Sequence, residues 1–505
     1  MNSVCSRMYN FYSQPGYHRA IRILFYSTEA AEAVKPVIPS TSRATSGESL
    51  YRRISPVGDP NVPIAPVLNQ WIEEGRTVSK RELQSIVKQL RDYRRYNHAL
   101  EVSQWMSDRR YFDLSPADIS VRLDLIAKVH GLEQAEEYFN NTPKHLRVLS
   151  TYGALLNCYT HHKSLEKAEA HMQKMRDLGF AMSSVTYNVL MNLYSQLGQH
   201  EKLDILFQEM EGKGIAPDKY TFSIRLSASI ATFDIEGMEK ILERMETDPR
   251  VIVDWNAYAV AAGGYIKVGL IDKALEMLKK SEELVTGRKR RVAVDFFLTL
   301  YAGTGKKEEL YRIWNQHKTL EKVYNSTYMC MISSLLKLDD IEGAEKILAE
   351  WESGGTSYDF RVPNLLMAAY CKRGLWEKAE AFINKAAERG KKPYPSTWDR
   401  LATAYVEDNQ MAKAVGTMGK AILASRPGWK PNCSTLAACL EYLKGQQDTE
   451  GAEEFIRLLR TQGTLPSNAC DELQKYLEDG KLESDTLNQI LKDAIGEREG
   501  RESPK

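Results

Sequence analysis

Four sets of residues in this 505-residue chain have the types needed for catalysis or metal binding. Gly303–Lys307 reads GTGKK but lacks the first Gly and the hydroxyl residue of a phosphate-cradling loop, whose backbone N–H groups would hold a nucleotide. His161 and His162 are adjacent, with no carboxylate and third His nearby to complete a metal site. The seven cysteines (5, 158, 330, 371, 433, 439 and 470) form no CxxC pair, so neither a zinc module nor a disulfide framework is expected. The acid pair Asp339-Asp340 falls in a turn, where solvated carboxylates are ordinary. No enzyme, cofactor or metal is predicted. The chemistry left to the chain is recognition, by amides, hydroxyls and lysines spaced along its length.

Those groups must be positioned by a repeating element. Ser184–Asp218 reads SVTYNVLMNLYSQLGQHEKLDILFQEMEGKGIAPD, and parts of this phrase return about every 35 residues from 80 to 467. Units begin near 80, 116, 149, 184, 219, 255, 291, 325, 360, 395 and 433. A small residue recurs in the second helix of eight units: Ala99, Ala135, Ala168, Ala274, Ala344, Ala379, Ala414 and Ala452. Leu203, Met238 and Leu310 replace it in the other three. A small side chain there lets two helices approach closely. The fourth position of the first helix is often aromatic (Tyr152, Tyr187, Phe222, Tyr258, Tyr328, Trp398), which helical spacing makes a core ridge. Gly198, Gly269, Gly305 and Gly374 mark the turn inside a unit, and Pro217, Pro393, Pro431 and Pro466 follow the second helix. The prediction is an all-α solenoid of about eleven helix-turn-helix repeats, right-handed and superhelical, in which each pair buries its apolar face on its neighbours.

Hydrophobic content of 43% and charged content of 27% suit a soluble protein, and no apolar run approaches the length of a membrane span. Net charge is +1, so total charge favours neither nucleic acid nor membrane. Residues 1–28 carry Arg7, Arg19 and Arg22 and no acid before Glu29, the composition of an organelle transit peptide, with a disordered tail as the alternative. Residues 29–79, rich in Pro up to position 66, are expected to be a linker and N-terminal cap. Residues 468–505 are expected to form a short helix and a charged tail, with ten acids against six Lys or Arg.

Val185–Tyr194, Phe207–Asp218 and Tyr370–Ile383 closely resemble pentatricopeptide repeats. Tetratricopeptide repeats prefer Gly where Leu156, Met191 and Met367 stand here. Units 149–183, 184–218, 325–359 and 360–394 are the best copies, and the even unit length resembles the P-type subfamily of plant organelles. The resemblance implies one RNA base per unit, read by its fifth and last residues, with an apolar second residue wedged between bases. Carried over, Asn188 with Asp218 is a clean pair of the uracil-favouring kind, and Ser223 with Asp254 a weaker, guanine-favouring one. Asn364 is a further base-reading candidate, paired with Tyr394. Gly153 with Ser183, Ala259 with Arg290, Asp295 with Tyr324, Met329 with Asp359 and Asp399 with Asn432 depart from the code. Val185 and Val292 are apolar wedges, whereas Ser150, Asn256, Ser326, Arg361, Ser396 and Ser434 are not. Lys128, Lys267, Lys337 and Lys372 take a position where family members hold a phosphate-contacting Lys; each would equally complement a helix C-terminus. Arg91, Arg94, Arg95, Tyr93 and Tyr96, and the run Arg288–Arg291, are either RNA contacts or solvated surface. The deaminase-like extension of RNA-editing relatives, with its HxE and paired Cys signature, has no counterpart.

The expected function is therefore non-catalytic RNA binding in a mitochondrion, with the chloroplast as alternative location. Organellar mRNA or rRNA is the expected partner, without membrane or small-molecule substrate. The rival expectation is a structural component of the mitochondrial ribosome, meeting ribosomal proteins, or a protein-interaction scaffold.

Overall fold

The computed structural model describes residues 49–495 apart from 60–61, 109–111, 287–289, 355–357, 389, 426–428 and 479–483. The expected transit peptide, the first part of the linker, Arg288 and Lys289, and the last ten residues lie outside the described residues. The chain divides into two compact units, Met1–Leu270 and Ile271–Lys505. Every element named below is a helix, and no strand occurs among the described residues.

In the first unit, α1 (Leu50–Ile54) and α2 (Ala65–Glu73) precede the array. The array continues through α3 (Lys80–Asp92), α4 (Tyr96–Asp108), α5 (Pro116–Val129), α6 (Leu132–Asn141), α7 (Leu149–His161) and α8 (Leu165–Asp177). It ends this unit with α9 (Ser184–Gln196), α10 (His200–Gly212), α11 (Lys219–Ala231), α12 (Ile235–Thr247) and α13 (Trp255–Val268). The second unit holds α14 (Ile271–Glu283), α15 (Arg290–Gly303), α16 (Lys307–Leu320), α17 (Asn325–Lys337), α18 (Ile341–Ser353), α19 (Arg361–Lys372) and α20 (Trp376–Glu388). It closes with α21 (Pro395–Glu407), α22 (Met411–Leu423), α23 (Cys433–Gly445), α24 (Thr449–Thr461), α25 (Ser467–Glu478) and α26 (Ser484–Ile495). Within each unit a helix packs on its hairpin partner, and the first helix of one repeat packs on the first helix of the next.

The small-residue register is the contact between the paired helices. All eight recurring alanines are at most 1% exposed. Helix starts are set by side-chain caps: Ser79 and Ser115 accept the N–H of Glu82 and Asp118, and Asp218 and Asp254 cap α11 and α13. A second cap recurs as Asp-x-Glu-Gly, where Asp234, Asp340 and Asp448 accept the N–H of Gly237, Gly343 and Gly451 at 2.9 Å each. The hairpin turn needs one left-handed residue in each repeat. Gly198 supplies it at φ 70°, but Phe233 does so at 59° and Asp339 at 64°, so the turn geometry persists where no glycine is present. Successive repeats are also latched by carboxylates. Glu169 on α8 accepts Tyr194 Oη at 3.0 Å and Lys202 Nζ at 2.7 Å, and Glu239, Glu345 and Glu380 accept Tyr265, Tyr370 and Tyr405.

Both ends carry more structure than the sequence suggests. Within the expected linker and cap, α2 docks on α4: Glu101 accepts the N–H groups of Ile64 and Ala65 at 2.9 and 2.7 Å, and Trp105 donates to Asn69. At the other end α26 lies in the expected charged tail. Its Leu487 and Leu491 are fully buried, and it packs on α23 and α25.

Candidate nucleic-acid interface

Asn188 lies on the first turns of α9, and Asp218 is the N-cap of α11 in the following repeat. The structure brings them together: Asn188 Nδ2 donates to Asp218 Oδ1 at 3.0 Å. Asp218 also accepts the N–H groups of Tyr220 and Thr221, each at 2.9 Å, and the Ser184 hydroxyl at 2.7 Å. Burial opposes ionisation of Asp218, but bonds from Thr221, Ser184 and Asn188 outweigh it and hold the carboxyl below the usual carboxylate range. Thr221 Oγ1 donates to Asn188 Oδ1 at 2.8 Å. The amide is thus gripped at both ends, and the wedge Val185 beside it is 55% exposed, open to a stacking partner.

The other pairs behave differently. Ser223 turns back to the carbonyl of Lys219 at 2.8 Å, while Asp254 caps its own helix, so these two are not joined by any hydrogen bond of the Asn188 kind. Asn364 Oδ1 accepts Thr397 Oγ1 at 2.7 Å, repeating half of the Asn188 arrangement in a cleft lined by Arg361, Ser396 and Arg400. Asp399 accepts the backbone N–H of Asn432 at 3.1 Å, and burial raises its carboxyl above the usual range. Asp359, the last residue of its repeat, is taken by the following wedge position: Arg361 Nε donates to Asp359 Oδ2 at 2.9 Å, and the pair is neutralised.

The four lysines end their helices as expected, but their surroundings diverge. Lys128 is paired with Asp124 at 2.6 Å, which also meets Arg91 at 3.0 Å, and Lys128 lies over the Tyr96 ring. Lys267 sits 5.8 Å from the Phe233 ring, and burial lowers its ammonium below the lysine range. Lys337 is exposed at the end of α17, and desolvation by nearby protein atoms lowers its ammonium below the lysine range. Lys372 is exposed at the end of α19. In the first repeat, Arg95 bonds the carbonyls of Ile54 and Ser55 and so holds the N-terminal cap, whereas Arg91 and Tyr96 meet Asp124 and Lys128 of the next repeat.

Several of the catalytic candidates take structural places. Gly305 is the left-handed residue of a hairpin turn, and Lys307 pairs with Asp340. Burial pushes the Cys158 and Cys439 thiols up to about 12, which keeps them protonated. Among the described residues, no group of His, Cys, Asp or Glu is arranged to hold a metal ion, and no helix is long and apolar enough to cross a membrane.

Ser184 and Thr221 were not singled out by the sequence reading. The signal for Thr221 was present as a buried Thr recurring in the first turn of the first helix: Thr151, Thr186, Thr221, Thr327, Thr397 and Thr435.

The PPR repeat model matches residues 150–180, 326–356 and 362–390, and a second PPR repeat family model matches 182–229. These are the four units that stand out in the sequence. A mitochondrial pentatricopeptide repeat-containing protein of Arabidopsis thaliana is 45% identical over 83% of this chain and 85% of its own length. The large ribosomal subunit protein mL101 of Arabidopsis thaliana is 39% identical over 82% of this chain and 84% of its own. Among solved structures, the maize pentatricopeptide repeat protein PPR10 superposes with a TM-score of 0.50 at 18% identity. That match covers 83% of this chain and 62% of the maize protein, so the chain spans less than two thirds of it.

Proposed function

The chain belongs to the pentatricopeptide-repeat family, and from that premise we propose that it is a mitochondrial RNA-binding protein of the P-type subfamily that presents or protects a transcript without chemistry. The observation that carries this reading is the Asn188–Asp218 pair, in which the fifth and last residues of one repeat join as amide and carboxylate beside an exposed apolar wedge. Such a pair can complement a pyrimidine edge. The mitochondrial relatives support the location. Lys337 and Lys372 provide cations for an RNA backbone in the second unit.

The test is a binding titration of the full chain with mitochondrial RNA at several salt concentrations. Affinity should fall steeply as salt rises, because neutralised phosphates release counterions. Binding that is absent at low salt, or indifferent to salt, overturns the proposal.

A second reading is favoured by one specific observation, the similarity to a protein named as a large ribosomal subunit component. Most reading positions here are engaged internally or depart from the code, which suits a chain held by ribosomal RNA and protein rather than by a sequence. Sucrose-gradient sedimentation separates the two. Co-migration with ribosomal subunits after a high-salt wash supports the structural role, and release into light fractions supports the free RNA-binding factor.

A further inference from the structure

We infer that Thr221 and Ser184 are positioning residues that fix the plane of the Asn188 amide, and so set its discrimination between pyrimidines; this rests on the base-reading role proposed above. The donor and acceptor roles follow from chemistry. A carboxylate only accepts, so the Asn188 nitrogen must face Asp218, at 3.0 Å, and its oxygen must face the Thr221 hydroxyl, at 2.8 Å. The Thr221 oxygen accepts the Asp218 backbone N–H at 3.1 Å, and its single proton faces two acceptors, Asn188 Oδ1 at 2.8 Å and Asp218 Oδ1 at 3.1 Å, of which the amide oxygen is the nearer. Ser184 holds the other carboxylate oxygen at 2.7 Å, so Asp218 cannot rotate away from the amide.

One hydrogen bond is a pivot, whereas two at opposite ends of an amide fix its plane. After both bonds are made, Asn188 retains one N–H and one lone pair on Oδ1. Asn188 is 7% exposed, so a base can reach it only over a small area. Uracil offers a carbonyl acceptor beside an imino donor, and cytosine an amino donor beside a ring-nitrogen acceptor. For a base held in one placement, these demand opposite amide orientations. A fixed amide therefore favours one pyrimidine, and a swinging amide tolerates both. The residue that decides is contributed by the following repeat, not by the one that reads. Asn364 has the corresponding Thr397 contact at 2.7 Å, but Tyr394 stands where a carboxylate would complete the grip.

The experiment compares binding of 14-nucleotide oligouridine and oligocytidine to the full chain, since every register of a homopolymer places the same base at Asn188. The unmodified protein should prefer oligouridine about fivefold or more, the range of one good base-edge contact. Thr221→Val should bring that ratio close to one while leaving oligocytidine affinity nearly unchanged, and Thr221→Ser should restore it. Ser184→Ala, at a half-buried surface site, should lower the ratio in the same direction and serves if the valine variant does not fold. Equal affinity of the unmodified protein for both oligomers overturns base reading at Asn188 and this inference with it. A uracil preference that survives in Thr221→Val and Ser184→Ala overturns the inference alone. So does an equal loss of both oligomers that serine does not repair.

Discussion

At the scale of single residues, the same carboxylate can be a scaffold part and a recognition element, and its partners decide which. Asp118 is the scaffold case. It is 8% exposed and accepts Lys80 Nζ at 2.9 Å, Gln84 Nε2 at 2.7 Å and the Ser115 N–H at 2.9 Å. Burial opposes its ionisation, but the bonds from Lys80, Gln84 and Ser115 win and lower the carboxyl to about 2. A carboxyl depressed in the folded state contributes stability above its unfolded pKa and loses it as pH falls through the folded one. Asp118→Asn should therefore cost about 1–2 kcal/mol at neutral pH, after discounting for solvent screening. That difference should shrink below pH about 4 and vanish only below pH about 2. Urea unfolding midpoints at stepped pH measure it, and a difference that persists undiminished at low pH contradicts the assignment. Asp218 belongs to the same chemical class and also holds an amide, but its amide, Asn188, lies beside the exposed wedge Val185, whereas Asp118 and its Gln84 amide are tied to Lys80 and Ser115.

At the scale of elements, the repeat tolerates changes at its reading positions and very few at its packing positions. Helix α13 illustrates the second rule with its run of Ala and Gly. A Cβ added at Gly264 would lie 2.7 Å from Met238 Sδ and 2.8 Å from Ile230 Cγ1, on the neighbouring helices α12 and α11. Alanine gains about 1 kcal/mol of helix propensity over glycine. Overpacking of this kind costs about 1–3 kcal/mol. The cost should win, so Gly264→Ala should lower the midpoint of urea unfolding, whereas the half-buried Gly153, with no atom near its Cβ direction, should accept alanine and gain stability. A stabilised Gly264→Ala would show that α13 can shift away from its neighbours.

At the scale of the molecule, each compact unit has to end its stack, because a terminal repeat has a neighbour on one side only. The first unit covers its end with α1 and α2, through Glu101 and Trp105 on α4 and Arg95 just before it. The second covers its end with α25 and α26, whose Leu487 and Leu491 are fully buried. Burying a leucine contributes about 1.5–3 kcal/mol, so removing these two takes away several kcal/mol locally. A chain ending at residue 483 should melt at lower temperature and lose more helical circular dichroism than twelve residues account for. Loss of only those twelve residues' signal, at an unchanged melting temperature, would mean that α26 is not a cap.

The sequence by itself determined the all-helical class, the repeat register and the family. Those follow from local and periodic signals: a small residue in one helix, an aromatic in the other, and turn residues between them. Alanines at most 1% exposed at all eight expected positions are the direct consequence. It also singled out Asn188 with Asp218, because their identities suffice for that pairing. Only the tertiary structure decided which polar groups meet. Asp124 meets Arg91 from the preceding repeat, Asp399 takes the backbone N–H of Asn432, and Asn188 is gripped by a threonine 33 residues away. The caps were obscure for the same reason. Their buried residues are few, and their hydrogen-bond partners lie on other helices, where no periodicity in their own segments could point.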